Sequence, residues 1–256
     1  MTALVVERIR AVTGRAVSKA ENASLRLVNS FLPKEGRLLL VLLGLVMSLW
    51  AFTILLSQVT AGKTQAFDEG VLLALRRPDN RAIPIGPAWS ESLAIEFTSL
   101  GSGVVLFTVV AIVAGYLALG RRFGMMWLVV VATFGGSVLS SGLKDLVARG
   151  RPTIVPHLAD VHSPSFPSGH SMIAAVVYLT LGALLARTAA SWRLRIYFVS
   201  VAMLLTLLIG LSRIYLGVHY PTDVLAGWSA GLVWALLCEL IAQRLQRQGT
   251  VEQPGR

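Results

Sequence analysis

The sequence predicts an all-α integral membrane protein: a bundle of six transmembrane helices, with an N-terminal amphipathic segment before it and an interfacial helical region on its outer face. Composition is the first reason. Of 256 residues, 55% are hydrophobic and 14% charged, with a mean hydropathy of +0.69, whereas a soluble domain carries roughly 25% charged residues. Spacing is the second: six long apolar stretches follow one another, each comparable to the roughly 20 residues that a bilayer core demands. The third is charge placement, because Lys and Arg concentrate in alternate connections, as they do in cytoplasmic loops. The length suits one compact membrane domain.

Residues 1–37 hold Arg8, Arg10, Arg15, Lys19, Arg26, Lys34 and Arg37 among spaced apolar residues, a pattern that fits a basic amphipathic helix on the inner leaflet and equally a partly ordered tail. A cleaved signal peptide is not expected, because the apolar run that follows exceeds the roughly 7–15 residues of a signal core. The membrane domain spans 38–243. Its first crossing runs from Leu38 to Val59. Residues 61–98 mix polar and apolar residues. Phe67, Val71, Leu72 and Leu75 recur there at helical spacing, and a second amphipathic piece passes through Trp89, Leu93 and Phe97. Packing over the bundle is the expected role of both pieces, with lining of a lipid access route the alternative. The second crossing is Gly101 to Leu119. The third, Met125 to Leu143, carries Gly135, Gly136, Ser137, Ser140 and Ser141, small residues that allow close helix approach. The fourth is Ser171 to Ala186, long enough only if its helix begins near Pro167 to His170. The fifth is Ile196 to Leu211 and the sixth Val224 to Ala242, followed by a cytoplasmic tail at 244–256.

With the N-terminus inside, the inner side holds fifteen of the twenty-three Lys and Arg residues. Of the eight outside, four belong to the two loops described next. This arithmetic predicts a multi-pass protein of the inner (cytoplasmic) membrane whose reactive loops face the outer, periplasmic side. The net charge of +10 is accounted for by cytoplasmic anchoring and anionic lipid, so no nucleic-acid partner is implied. The single cysteine, Cys238, lies in an apolar stretch, which excludes an internal disulfide and Cys-rich metal sites.

Two loops concentrate polar groups beside apolar helices, where a charge without a partner is costly. Lys144 and Arg151 are seven apart and share a face if the third helix continues two turns beyond the membrane, with Pro152 ending it. An ammonium and a guanidinium fork suit the several oxygens of a phosphoryl group. Pro167, Ser168 and Gly169 then open the fourth helix, where backbone N–H groups point at an anion and Ser168 adds a hydroxyl. His170, in the first turn, points into the same site as a general acid. In the second loop Arg213 ends the fifth helix and His219 follows, with Asp223 in the first turn of the sixth. Four residues after His219, Asp223 can accept its imidazole N–H and leave the other nitrogen free to attack. Spacing alone leaves open which histidine is nucleophile and which is acid; the pairing with Asp223 favours His219 as nucleophile. His157 and His162 read as solvent-facing loop residues.

Lys144 with six residues before Arg151-Pro152, then Pro167-Ser168-Gly169-His170, then Ser212-Arg213 with five residues before His219 and three more before Asp223, resemble the three signature motifs of the type 2 phosphatidic acid phosphatase superfamily, as found in bacterial membrane lipid phosphatases. Direct coverage is about 144–223, and the six-span layout extends the likeness to 38–243. The resemblance implies a metal-independent phosphatase without cofactor. His219 would become a phosphohistidine held by Asp223, and His170 would protonate the leaving oxygen and then activate water. Lys144, Arg151 and Arg213, with Ser168 and the Gly169 amide, would bind the phosphoryl oxygens. Implied substrates are a lipid-linked phosphomonoester or diphosphate: undecaprenyl diphosphate, phosphatidylglycerol phosphate, phosphatidic acid or lipid A phosphates.

A dinuclear metal phosphatase would need convergent carboxylates, and the outer loops offer only scattered ones such as Asp145, Asp160 and Asp223, so no catalytic metal is expected. The alternative function is a transporter or channel for phosphate-bearing solutes, disfavoured because the helix centres hold almost no charge. Vanadium haloperoxidases share the motif set, but their extramembrane character fits poorly with six spans. The sequence leaves the head group and the oligomeric state open.

Overall fold

The computed structural model describes residues 34–161 and 163–248. The N-terminal amphipathic segment (up to 33), His162 and the end of the C-terminal tail lie outside the described residues. Among the described residues there are eight helices and no strand: α1 Lys34–Thr60, α2 Gln65–Ala74, α3 Trp89–Ser99, α4 Gly103–Leu119, α5 Phe123–Val147, α6 Gly169–Thr188, α7 Trp192–Tyr215 and α8 Pro221–Arg247.

Five of these, α1, α5, α6, α7 and α8, are long and apolar enough to cross a membrane. The expected second crossing is built differently. α4 has only 17 residues, and it meets the length and hydropathy needed only together with α3, from which it bends by 45°. Counted as one span, the bent pair brings the candidate crossings among the described residues to six. The sequence explains the break: Ser102 takes an extended backbone and caps α4, its hydroxyl accepting from the Val105 N–H at 3.3 Å. The amphipathic piece through Trp89, Leu93 and Phe97 is α3, one arm of this bent pair. Large apolar side chains face outward along the bundle, such as Leu119 at 89% exposure and Val104 at 80%, as hydrocarbon rather than water would allow.

α6 is the hub, packing most extensively on α7 and α8 and also on α5. Its contact with α8 is close because Gly227 and Gly231 stand one turn apart on α8. A Cβ at Gly227 would lie 2.7 Å from the Ser168 carbonyl, and one at Gly231 would lie 2.6 Å from that of Met172. On α5, Gly135 and Gly136 receive the ring of Trp234, whose indole N–H donates to the Ala132 carbonyl at 2.8 Å. Ser137, Ser140 and Ser141 do something else: they line a cavity described below. Cys238 is buried in an apolar cluster with Ala132 and Val176. α2 packs on the bundle through Leu72, which meets Ile214, Tyr220 and Val224.

Candidate active site

One end of the bundle gathers the C-terminal ends of α5 and α7, the N-terminal ends of α6 and α8, and the α3–α4 bend. Between them is a cavity of about 380 Å³ lined by Lys144, Arg151, Gly169, His170, Arg213 and His219, with Gly101, Gly103 and the three α5 serines among the other walls. Six of the eight residues singled out in the sequence therefore meet in one space. Asp223 is fully buried behind His219, and Ser168 is also fully buried, its hydroxyl accepting from Ser171 at 2.9 Å and its N–H donating to the Asp223 carbonyl at 2.9 Å.

The route of the chain between Lys144 and Arg151 corrects the expectation of a helix continuing through both. α5 ends at Val147, because Ala148 turns into the left-handed region at φ 49° and donates its N–H back to the Lys144 carbonyl. Residues 149–152 have no helical structure, and Arg149 and Arg151 go to different places. Arg151 donates from Nε to the Ser163 carbonyl at 2.7 Å and from Nη1 to the Val218 carbonyl at 2.6 Å. Its Nη1 also stands 3.3 Å from His219 Nε2. Lys144 Nζ donates to the Pro164 carbonyl at 2.5 Å. Arg213, 3% exposed, donates to the Thr98 hydroxyl at 2.9 Å, while its buried Nε has no partner in the protein.

His219 is held by the turn after α7, where Gly217 has φ 71° and no room for a side chain against Arg76 Nη2, Val155 and the Pro156 carbonyl. Arg76 is buried and supports this turn by donating to the Tyr215 carbonyl at 2.9 Å. Burial, with Arg213 and Arg151 nearby, holds the His219 pKa far below the usual histidine range, at about 3, so the imidazole is neutral at physiological pH. Its Nδ1 is 3.6 Å from Asp223 Oδ2, too far for a good direct hydrogen bond. Ser165 lies between, its Oγ 3.3 Å from Nδ1 and donating to Asp223 Oδ2.

Arg149 lies outside the motif positions, and the sequence gives it no role of its own. Its Nη1 meets Asp223 Oδ1 at 2.6 Å and its Nη2 meets Asp68 Oδ2 at 2.8 Å, and its guanidinium lies over the Tyr220 ring, 4.2 Å from the centroid. Burial opposes its charge, yet the two carboxylates raise its pKa above the ordinary value. Asp68, on α2 and fully buried, also accepts from the Thr222 N–H at 3.0 Å and hydroxyl at 2.7 Å. A signal for Asp68 existed: it precedes Leu72 by four residues, so a carboxylate shares the buried stripe of a short helix and demands a cation. His157, read as solvent-facing, is exposed, and its Nε2 bonds the Pro152 carbonyl at 2.6 Å. Among the described residues no group of three or more His, Cys, Asp or Glu is arranged to hold a metal ion.

Comparison with known proteins agrees with this architecture. The PAP2 superfamily model matches residues 124–247. Phosphatidylglycerophosphatase B of Bacillus subtilis is 31% identical over 201 residues, covering 77% of this chain and 93% of that protein. The lipid A 1-phosphatase of Rhizobium etli is 32% identical over 128 residues, 46% of this chain and 50% of that protein. The crystal structure of a transmembrane PAP2-type phosphatidylglycerolphosphate phosphatase from Bacillus subtilis superposes with a TM-score of 0.68 at 28% identity, covering 79% of this chain and 98% of the other. Three spaced motifs, a helical bundle with five or six candidate spans and a relative aligned over 93% of its length lead to one conclusion: the chain belongs to the PAP2 superfamily and is a multi-pass membrane lipid phosphatase of that type.

Proposed function

We propose that this phosphatase cleaves a lipid-linked phosphomonoester or diphosphate through a phosphohistidine at His219. The observation that carries the reading is the meeting of Lys144, Arg151, Arg213, His170 and His219 in one cavity, three cations with two imidazoles at one end of apolar helices. Lys144, Arg151 and Arg213, with the Gly169 amide at the α6 N-terminus, bind the phosphoryl oxygens; the buried Nε of Arg213, without a protein partner, has a donor to give. Ser168 accepts from Ser171 at 2.9 Å, which leaves its own hydroxyl hydrogen to donate.

His219 Nε2 forms a bond to phosphorus as the bond to the leaving oxygen breaks, and His170 protonates that oxygen so that the lipid departs as an alcohol or, from a diphosphate, as a monophosphate. Water, deprotonated by His170, then attacks the phosphohistidine, releasing inorganic phosphate and restoring His219. The cations oppose the charge that grows on the equatorial oxygens. No metal is assigned a role, and activity is expected to survive treatment with chelators. The Lys and Arg distribution supports a topology in which the cavity opens on the outer face of the inner membrane and the 38–243 bundle is the phosphatase domain between two cytoplasmic segments.

The near-complete alignment with phosphatidylglycerophosphatase B favours phosphatidylglycerol phosphate as the first substrate to assay. Phosphate release should be measured from purified phosphatidylglycerol phosphate, phosphatidic acid, undecaprenyl diphosphate and lipid A, together with acid-labile phosphate trapped on the protein. Expected are turnover of at least one lipid and a phosphohistidine that His219→Ala abolishes. Normal hydrolysis by that variant would refute the assignment.

A further inference from the structure

Resting on the assignment of His219 as nucleophile, we infer that the direct orienting partner of its imidazole is Ser165, held in turn by Asp223 and Arg149, so that Ser165 and Arg149 are positioning residues of this active site. Neither belongs to the positions for which the three motifs assign a role. The geometry separates Ser165 from Asp223 as the group nearest the ring: Ser165 Oγ is 3.3 Å from His219 Nδ1, and the nearer Asp223 oxygen is 3.6 Å away. Ser165 and Asp223 have no exposed surface and His219 has 1%, so no bulk water substitutes for these partners.

Counting hydrogens fixes the direction of the chain. Asp223 Oδ1 accepts from Arg149 at 2.6 Å. Its Oδ2 accepts from the Tyr220 N–H at 2.9 Å and from the Ser165 hydroxyl. Ser165 has one hydrogen, and Asp223 receives it. The serine oxygen therefore meets Nδ1 with a lone pair, which requires the imidazole hydrogen to be on Nδ1. The other side of the ring agrees independently. Arg151 Nη1 stands 3.3 Å from Nε2, and a guanidinium only donates, so Nε2 carries a lone pair. That lone pair is what attack on phosphorus needs, and it faces the wall of the cavity that Arg151 shares.

Arg149 keeps the chain in register. Its fork joins Asp223 to Asp68 on α2, and its carbonyl accepts the Ser165 N–H at 2.8 Å. One residue thus fixes the carboxylate through its side chain and the serine through its backbone. A lysine there would keep the charge but lose the planar fork that reaches both carboxylates.

The test is the imidazole tautomer, read by ¹⁵N NMR of histidine-labelled full-length protein in detergent near pH 7, with His219 assigned by the signals missing in His219→Ala. The wild-type ring is expected to be Nδ1–H with Nε2 unprotonated, and the trapped phosphate is expected on Nε2. Ser165→Ala is expected to mix the tautomers and to slow phosphoenzyme formation by about 10- to 100-fold, the range set by loss of one buried hydrogen bond, with KM little changed. Ser165→Thr, which keeps the hydroxyl, is expected to recover the wild-type tautomer. An Nε2–H ring in the wild type would overturn the inference, and this reading stands even if Ser165→Ala does not fold. So would a Ser165→Ala enzyme with an unaltered tautomer and phosphorylation rate. Absence of phosphate from His219 in the wild type would instead overturn the nucleophile assignment, whatever the tautomer.

Discussion

Gly227 touches no phosphate and carries no side chain, yet its replacement should damage catalysis. It stands on α8 where the backbone of the α6 N-terminus passes closest: a Cβ there would lie 2.7 Å from the Ser168 carbonyl oxygen, 3.0 Å from Ser171 Cβ and 3.2 Å from the Met172 nitrogen. Two of those atoms are backbone, so α6 itself must move. In an open helix position Gly→Ala stabilises by up to about 1 kcal/mol, whereas overpacking a filled contact costs about 1–3 kcal/mol. The net expectation for Gly227→Ala is a loss of up to about 2 kcal/mol. The displaced backbone is the one that offers the Gly169 amide and carries His170, and misplacement approaching 1 Å costs about 100-fold in rate. A fall in kcat of about 10- to 100-fold is therefore expected. Two companion variants separate the causes. Gly231→Ala meets the Met172 carbonyl at 2.6 Å and Ala175 Cβ at 2.8 Å, one turn farther from the site, and should lose comparable stability with less loss of kcat. Gly142→Ala has nothing within 4 Å and should be neutral or stabilising. Thermal unfolding in detergent and phosphate release at saturating substrate measure both quantities. Wild-type kcat in Gly227→Ala would refute the claim that this helix contact sets the geometry of the site.

Three further outcomes are expected. His170→Ala should lose more activity on alkyl phosphates than on aryl phosphates with good leaving groups, since the acid matters most where the leaving oxygen is basic; equal losses on both would remove it from that role. Asp68→Asn leaves Arg149 with one carboxylate rather than two inside the protein, and a broken buried ion pair costs about 3–5 kcal/mol, so thermal unfolding should occur at a clearly lower temperature; an unchanged midpoint would contradict the network. His219, with a folded pKa of about 3, refuses a proton that the unfolded chain accepts below about pH 6.5. Its contribution to stability therefore falls as pH drops, by up to about 1.4 kcal/mol per unit. Between pH 7 and 5 the wild type should lose more stability than His219→Ala, and parallel losses would argue that the site admits the proton.

The spans were legible because an apolar run in a membrane protein has few other readings, and the cations were legible because a charge next to such a run needs a reason. Lys144, Arg151, Gly169, His170, Arg213 and His219 all reach the cavity. The end of α5 was not legible. Left-handed helix termini are usually marked by glycine, but here Ala148 takes φ 49° while Gly150 lies two residues later, so spacing suggested a helix as far as Pro152. Arg149 was hidden by the same error, since its direction follows only from where the helix stops. Ser165 carries no local signal, because its two partners come from 54 and 58 residues away. The break before α4 was readable: Ser102 is a good N-cap residue, but Gly101-Ser102-Gly103 was read as the opening of a straight span.

The motifs lie entirely between Lys144 and Asp223, yet three contacts to this site come from the first half of the chain. Asp68 on α2 holds Arg149. Thr98 on α3 is the side chain that bonds Arg213. At the α3–α4 bend, Gly101 lies so close that a Cβ would stand 3.4 Å from His170 Cδ2 and would clash with Ile209. Each is physically demanding: a buried carboxylate, a hydroxyl facing a buried guanidinium, and a backbone with no room for a side chain. Burying Arg213 without Thr98 would leave one more of its N–H donors unmatched, at about 1–3 kcal/mol, and burying Arg149 without Asp68 would leave half of its fork unused. The candidate site is therefore not a property of α5 to α8 to which an anchor has been added. α3 and the short α2 helix hold two arginines of the candidate site, Arg213 through Thr98 and Arg149 through Asp68, which ties the α2 to α4 region to it.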